Sequence, residues 1–221
     1  MRKFRTNRLW QIIYPIVVYY LLYNVFFVAL RLLFGAHASH LFLLGIASLL
    51  TIPFCYGIYK KRPRIVRAEN GLGSKGRLSQ SRMCCISLGV VALGLILNFI
   101  ISHTPLVAYS SGYAQANATL YAGGLLTKIF ANCISIPILE ELVYRGIVCG
   151  QLSLWYDEKT CSHYFCILVL GIMHFNVVQF LYGFLVGLAI ATVYIKTRKL
   201  WVVIVAHGLT NFIVVILASL G

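Results

Sequence analysis

Acidic side chains are scarce in this sequence. Five Asp and Glu stand against 19 Lys and Arg in 221 residues, giving a formal charge of +14. Charge as a whole is sparse: 11% of residues are charged and 60% are hydrophobic, with a mean hydropathy of +0.86. A soluble core cannot hide that much apolar surface, so the composition excludes an ordinary water-soluble domain and indicates an all-α, polytopic membrane bundle. In a soluble protein the positive charge would point to nucleic acid. Here the basic residues form short runs between apolar stretches, the pattern of topology signals, and the lipid bilayer rather than nucleic acid is the expected partner. No cleavable signal is expected, because Arg2, Lys3, Arg5 and Arg8 lead into an apolar stretch too long for a signal core and without a small-residue cleavage site. The seven cysteines (Cys55, Cys84, Cys85, Cys133, Cys149, Cys161, Cys166) contain no CxxC pair and are expected to be free thiols acting as small hydrophobes.

What is abundant is apolar length. Windows long enough to cross a layer of about 30 Å fall at 9–33, 39–59, 83–102, 121–149, 163–178, 180–195 and 200–220, which predicts about seven transmembrane helices. The loop 60–82 carries eight Lys and Arg, and Lys196, Arg198 and Lys199 make a second basic turn. The turns near 36–40 and 103–121 have none. The positive-inside rule therefore places the N-terminus, the 60–82 loop, the 150–162 loop and the 196–199 turn in the cytoplasm of a multi-pass protein, expected in a bacterial cell membrane. Arg31 and Lys128, near the outer ends of their spans, are expected to snorkel to the headgroups. Gly71 to Gly76 matches GxGxxG but neither follows a strand nor opens a helix, and reads as a loop. Residues 1–120 offer topology; residues 121–221 hold the chemistry.

That chemistry lies in polar groups inside apolar spans, where an ionised side chain costs roughly 3 kcal/mol and persists by pairing, by lining a wet cavity or by reacting. Residues on a helix are 100° apart, so Glu140 and Glu141 face different ways. Glu141 and Arg145 stack at i, i+4, whereas Glu140 shares its face with Tyr144 and is the carboxylate expected to meet a cavity. Pro137 is expected to free the carbonyl of Cys133. His174 stands in the fifth window, and His207 and Asn211 share one face of the last. Counted from the assigned cytoplasmic ends, Glu140, His174, His207 and Asn211 all fall about 10 to 16 Å deep. They can meet in one pocket open to the cytoplasm.

A carboxylate, two imidazoles and a carboxamide around one cavity suit hydrolysis. Glu140 would take a proton from water, His174 would position that water or protonate the leaving amine, and His207 with Asn211 would donate to the oxyanion. The same residues offer an alternative in which Glu140, His174 and His207 hold Zn²⁺ and a metal-bound water attacks. The first design needs no cofactor, and the sequence leaves the choice open. HExxH, GxSxG and GxGD are absent, which counts against the zinc-metalloprotease, serine and aspartyl intramembrane designs.

The pattern resembles the CPBP family of intramembrane proteases, which includes the CAAX prenyl endopeptidases and the bacterial Abi or bacteriocin-immunity proteins. EExxxR is matched by Glu140, Glu141 and Arg145, and HxxxN by His207 and Asn211. FxxxH is met in part, with His174 present and Leu170 where the family usually has Phe. The similarity runs over roughly 125–220 and includes Gln179, Phe180 and Gly187. It implies a membrane endopeptidase with a cytoplasm-facing site, acting on a peptide or membrane protein. In it the first glutamate activates water with help from the first histidine, and the last histidine and Asn form the oxyanion hole. Family members have been described as metalloproteases and as metal-independent glutamate peptidases. A non-catalytic immunity or peptide-binding protein using the same cavity is the other expectation.

Overall fold

The computed structural model describes residues 7–61, 79–152, 176–197 and 199–220, and among them every regular element is helical. The elements are α1 (Arg8–Phe34), α2 (His40–Lys61), α3 (Gln80–Ser102), the short α4 (Pro105–Tyr109), α5 (Ser111–Leu120), α6 (Leu125–Leu152), α7 (Val177–Thr197) and α8 (Leu200–Leu220). Five of them (α1, α2, α3, α7, α8) are long and apolar enough to cross a membrane, and α5 and α6 together form a further apolar pair bent by 111°, either a broken span or a re-entrant loop. Most of the expected span at 163–178 lies outside the described residues.

The ends sort by charge. Tyr59 near the end of α2 and Leu200 at the start of α8 both meet Gly146, and Ile12, Met83, Tyr194 and Val202 share one buried cluster. The basic residues Lys60, Lys61, Arg82, Lys196 and Lys199 thus gather at one end of the bundle. At the opposite end Lys128 Nζ donates to Ser219 Oγ at 3.5 Å. Arg31 does more there than reach for headgroups, since its Nη1 donates to the carbonyls of Gly35 (3.0 Å) and Ala38 (3.1 Å). Those acceptors belong to a tight turn in which Gly35 takes φ +61°, a conformation that glycine adopts without penalty.

Residues 103–121, expected as a turn, are largely helical. Pro105 opens α4, and Ser110 Oγ caps α5 by accepting from the Tyr113 N–H at 3.2 Å. α7 starts at Val177 rather than near 180 because Asn176 caps it. Asn176 Oδ1 accepts from the Gln179 N–H at 2.8 Å, and Asn176 Nδ2 donates back to Gln179 Oε1 at 2.6 Å.

The outer surface is apolar, with Leu21, Leu32, Leu126 and Leu217 exposed. In lipid such residues cost nothing to expose, so helices associate by close packing and internal polar bonds rather than by hydrophobic burial. Close packing is visible at Gly208 of α8, where a Cβ would lie 2.5 Å from the Cys133 carbonyl oxygen of α6. Gly208→Ala is expected to push these helices apart and cost about 1 to 3 kcal/mol. Gly89→Ala, where a Cβ would meet nothing within 4 Å, is expected to stay within about 1 kcal/mol of the parent. Thermal unfolding of both variants in detergent micelles checks the contrast.

Candidate active site

The site is built on an irregular stretch of α6. Residues Ile129–Ser135 and Leu142–Cys149 are π-helical, and Ile136–Glu141 between them is α-helical. In the first π turn the Ile136 N–H bonds the Ala131 carbonyl, five residues back. Continued by one residue, that register would pair Asn132 O with the N–H of Pro137, which proline lacks. The acceptor set free is therefore the carbonyl of Asn132, not that of Cys133 as an unbroken α-helix would require. Asn211 Nδ2 of α8 donates to it at 2.8 Å. The Cys133 carbonyl instead packs against Gly208.

One turn further on, Glu141 is fully buried and Arg145 is 2% exposed. Arg145 Nη1 donates to Glu141 Oε1 at 2.9 Å, and its Nη2 donates to the Gly187 carbonyl of α7 at 3.1 Å. Glu141 is not held by its own helix alone. Its Oε1 also lies 2.8 Å from His207 Nδ1 of α8, and because a carboxylate only accepts, Nδ1 is the protonated nitrogen. The imidazole then turns Nε2 toward Glu140 Oε2, 4.0 Å away, beyond hydrogen-bond range. Glu140 and His207 keep about a fifth of their side-chain surface exposed, 21% and 18%. The two adjacent glutamates thus occupy opposite environments, one buried in the packed interior and one facing a cavity.

That cavity measures about 200 Å³ and is lined by Glu140, His207 and Asn211. Of the residues singled out from sequence, Tyr144 is buried, with its ring edge-on to Tyr19 of α1 at 6.1 Å. His174 and Leu170 lie outside the described residues. Of the alternative zinc set, His174 lies outside the described residues, and among the described residues no group of three His, Cys, Asp or Glu is placed to hold a metal. Only two of that set's three ligands are described, and their nearest donor atoms stand 4.0 Å apart.

The described lining of the cavity extends along the bundle from the acidic and imidazole groups. Its lining continues from Glu140 and His207 through Ile136 and Asn132 to Ile101, Tyr113 and Asn117, toward the end of the bundle away from the basic residues. The lining also includes residues the sequence did not single out, among them Asn132, which is 8% exposed. Its Nδ2 donates to the Leu120 carbonyl at 2.7 Å, tying α6 to the end of α5. The signal available was an Asn inside an apolar span five residues before a proline.

With this geometry in hand, comparison with known proteins is informative. The family model for type II CAAX prenyl endopeptidases, Rce1-like, matches residues 122–213. Over that segment the chain is similar to the Rce1-like family. Over 93 residues the chain is also 36% identical to a protein of Bacillus subtilis (strain 168) named "Putative membrane peptidase YdiL"; the overlap covers 40% of this chain and 36% of that one. The chain therefore spans little more than a third of that relative's length. No solved structure matches. The matched segment holds Asn132, Glu141, Arg145, His207 and Asn211 and the polar contacts that join them.

The buried ion pair makes a direct prediction. Arg145→Ala would leave the Glu141 carboxylate in the interior with His207 as its partner, and is expected to cost about 3 kcal/mol or more. Arg145→Lys, which cannot serve both Glu141 and the Gly187 carbonyl with a planar fork, is expected to recover only part of that loss. Unfolding midpoints of the purified variants give the measurement.

Proposed function

We propose that the protein is an intramembrane endopeptidase that hydrolyses a peptide bond of a membrane-associated protein or peptide. Glu140 is the general base. Its carboxylate takes a proton from water, and the resulting hydroxide oxygen bonds to the carbonyl carbon of the scissile peptide. The C–N bond then breaks and the amine leaves with a proton, delivered by Glu140 or by His174. The observation that carries this reading is the contrast between neighbours: Glu141 is committed to Arg145 and His207, while Glu140 stands at the cavity with no ion pair of its own shorter than 4.0 Å among the described residues.

In this reading Glu141 and Arg145 are positioning residues. Glu141 fixes the imidazole by its Nδ1, which leaves Nε2 facing the cavity, where it serves the oxyanion when it carries a proton. Asn211 spends one amide hydrogen on the Asn132 carbonyl. That bond sets the plane of the amide and leaves its second N–H for the oxyanion.

Cleavage of a peptide library by purified protein in lipid tests the assignment. Glu140→Ala is expected to lower kcat/KM at least about 100-fold while leaving the unfolding midpoint nearly unchanged, and Asn211→Ala to lower kcat by about 100-fold or more. Undiminished cleavage by Glu140→Ala would falsify the base assignment. Tight peptide binding without turnover in the unmodified protein would fit the non-catalytic immunity reading instead.

A further inference from the structure

Resting on the peptidase reading, we propose that Tyr19 and Tyr23 of α1 are positioning residues for Glu140. Their hydroxyls hold its carboxylate in the orientation that presents lone pairs to the attacking water, donating to it directly or through one bridging water. α1 precedes the matched segment 122–213, so this part of the site comes from outside that segment.

The arrangement begins with the two faces of one helix. α1 exposes Val17, Tyr20, Leu21 and Val25 at its outer surface, while Tyr19 and Tyr23, four residues apart, share its inner face. Their rings lie 6.1 Å apart, and both pack against the cluster that Leu139, Leu142 and Val143 of α6 form with Cys55 of α2. Tyr19 meets Tyr144 edge-on at 6.1 Å, and Tyr144 follows Glu140 by one turn on the same face of α6. Both hydroxyls are close enough to the Glu140 carboxylate to interact with its charge. That of Tyr23 also stands beside the Ser48 side chain of α2. α1 packs on α2 and α6, whereas α8 packs on α3, α6 and α7. Glu140 therefore has two different walls: the His207 imidazole on the α8 side, with Nε2 4.0 Å from Oε2, and phenols on the α1 side.

Packing alone does not call for tyrosine. One turn after Tyr23 the same helix uses phenylalanine, and Phe26 meets Phe54 of α2 at 5.9 Å. A tyrosine in the interior adds a hydroxyl that has to find a partner, and leaving it without one in apolar surroundings is costly. Glu140 offers itself as that partner. Among the described residues it accepts no hydrogen bond, and its contact with His207 is too long for one. A carboxylate that serves as a base needs its orientation fixed by neighbours. A phenol does this by donating to one oxygen, or to a water on it. Unlike a lysine or arginine, it brings no counter-charge that would tie the carboxylate up.

Removing the hydroxyls while keeping the rings tests the assignment. Tyr19→Phe and Tyr23→Phe are compared with the native protein in lipid, by steady-state cleavage of a peptide selected from the library and by thermal unfolding. Each is expected to lower kcat about 10-fold, as the loss of one hydrogen bond to a charged group does, with KM and the unfolding midpoint unchanged. Tyr20→Phe, on the exposed side of α1, is expected to leave all three unchanged. Native kcat in both inner-face variants overturns the proposal. So does a fall in kcat that comes with a lowered midpoint, which would mark a packing role, or a raised KM alone, which would mark a substrate contact. In each of these cases the native protein still cleaves and the peptidase reading stands; absent cleavage by the native protein removes that reading and the positioning role with it. If one variant fails to accumulate, the other decides.

Discussion

One carboxylate oxygen, Glu141 Oε1, organises the interior. It accepts from Arg145 of its own helix and lies within bonding distance of His207 Nδ1 on α8, while Arg145 reaches across to the Gly187 carbonyl of α7. A charge this deep costs several kcal/mol unless every partner is in place, and lipid offers no substitute for a missing one. The three helices are therefore held at one rotation and one height relative to each other. Apolar packing alone does not provide this, because lipid tails satisfy a leucine as well as a neighbouring helix does. The same oxygen fixes which imidazole nitrogen faces the cavity, so the bond that locks the helices together also orients the ring beside Glu140.

The second constraint is in the backbone. A proline in a helix leaves one carbonyl without its donor, and the preceding π turn shifts that loss by one residue, onto Asn132. The orphan is satisfied by Asn211 from α8, so an irregularity that would be costly in isolation becomes an interhelical bond. Gly208 permits it. Its missing side chain lets α8 come close enough to the Cys133 carbonyl for the Asn211 amide to reach one residue further. Pro137, Gly208 and Asn211 thus act as one device.

Most of the helices were legible because an apolar run of twenty residues has few alternatives in lipid. The Glu141 to Arg145 pair was legible for a similarly local reason, since i, i+4 geometry is fixed by the helix itself. The bend between α5 and α6 was not, because Ser111–Leu120 is polar and short, and its helical state depends on the Ser110 cap. The bond between His207 and Glu141 joins residues 66 apart; counting depth brings them to one level but says nothing of rotation about each helix axis. The freed carbonyl was misplaced by one residue because periodicity does not reveal a shift from i−4 to i−5 bonding. Part of the cavity wall escaped for a different reason. Residues 103–121 carry no Lys or Arg, and only folding reveals that they lean over the site as part of its wall.

The neutrality of that wall has a consequence for the carboxylate it surrounds. On the proposed reading of Glu140 as a base, a lysine or arginine within its reach would pair with it and compete for the lone pairs it must offer to water. Carboxamides and phenols can bond substrate and water without that competition, and they keep the cavity wet where an apolar lining would dry it. The guanidinium of Arg145 is drawn off by Glu141 and Gly187. Two adjacent glutamates, turned 100° apart by the helix, thereby divide the work. Glu141 takes up the charge of Arg145 in the packed interior, and Glu140 is left at the cavity.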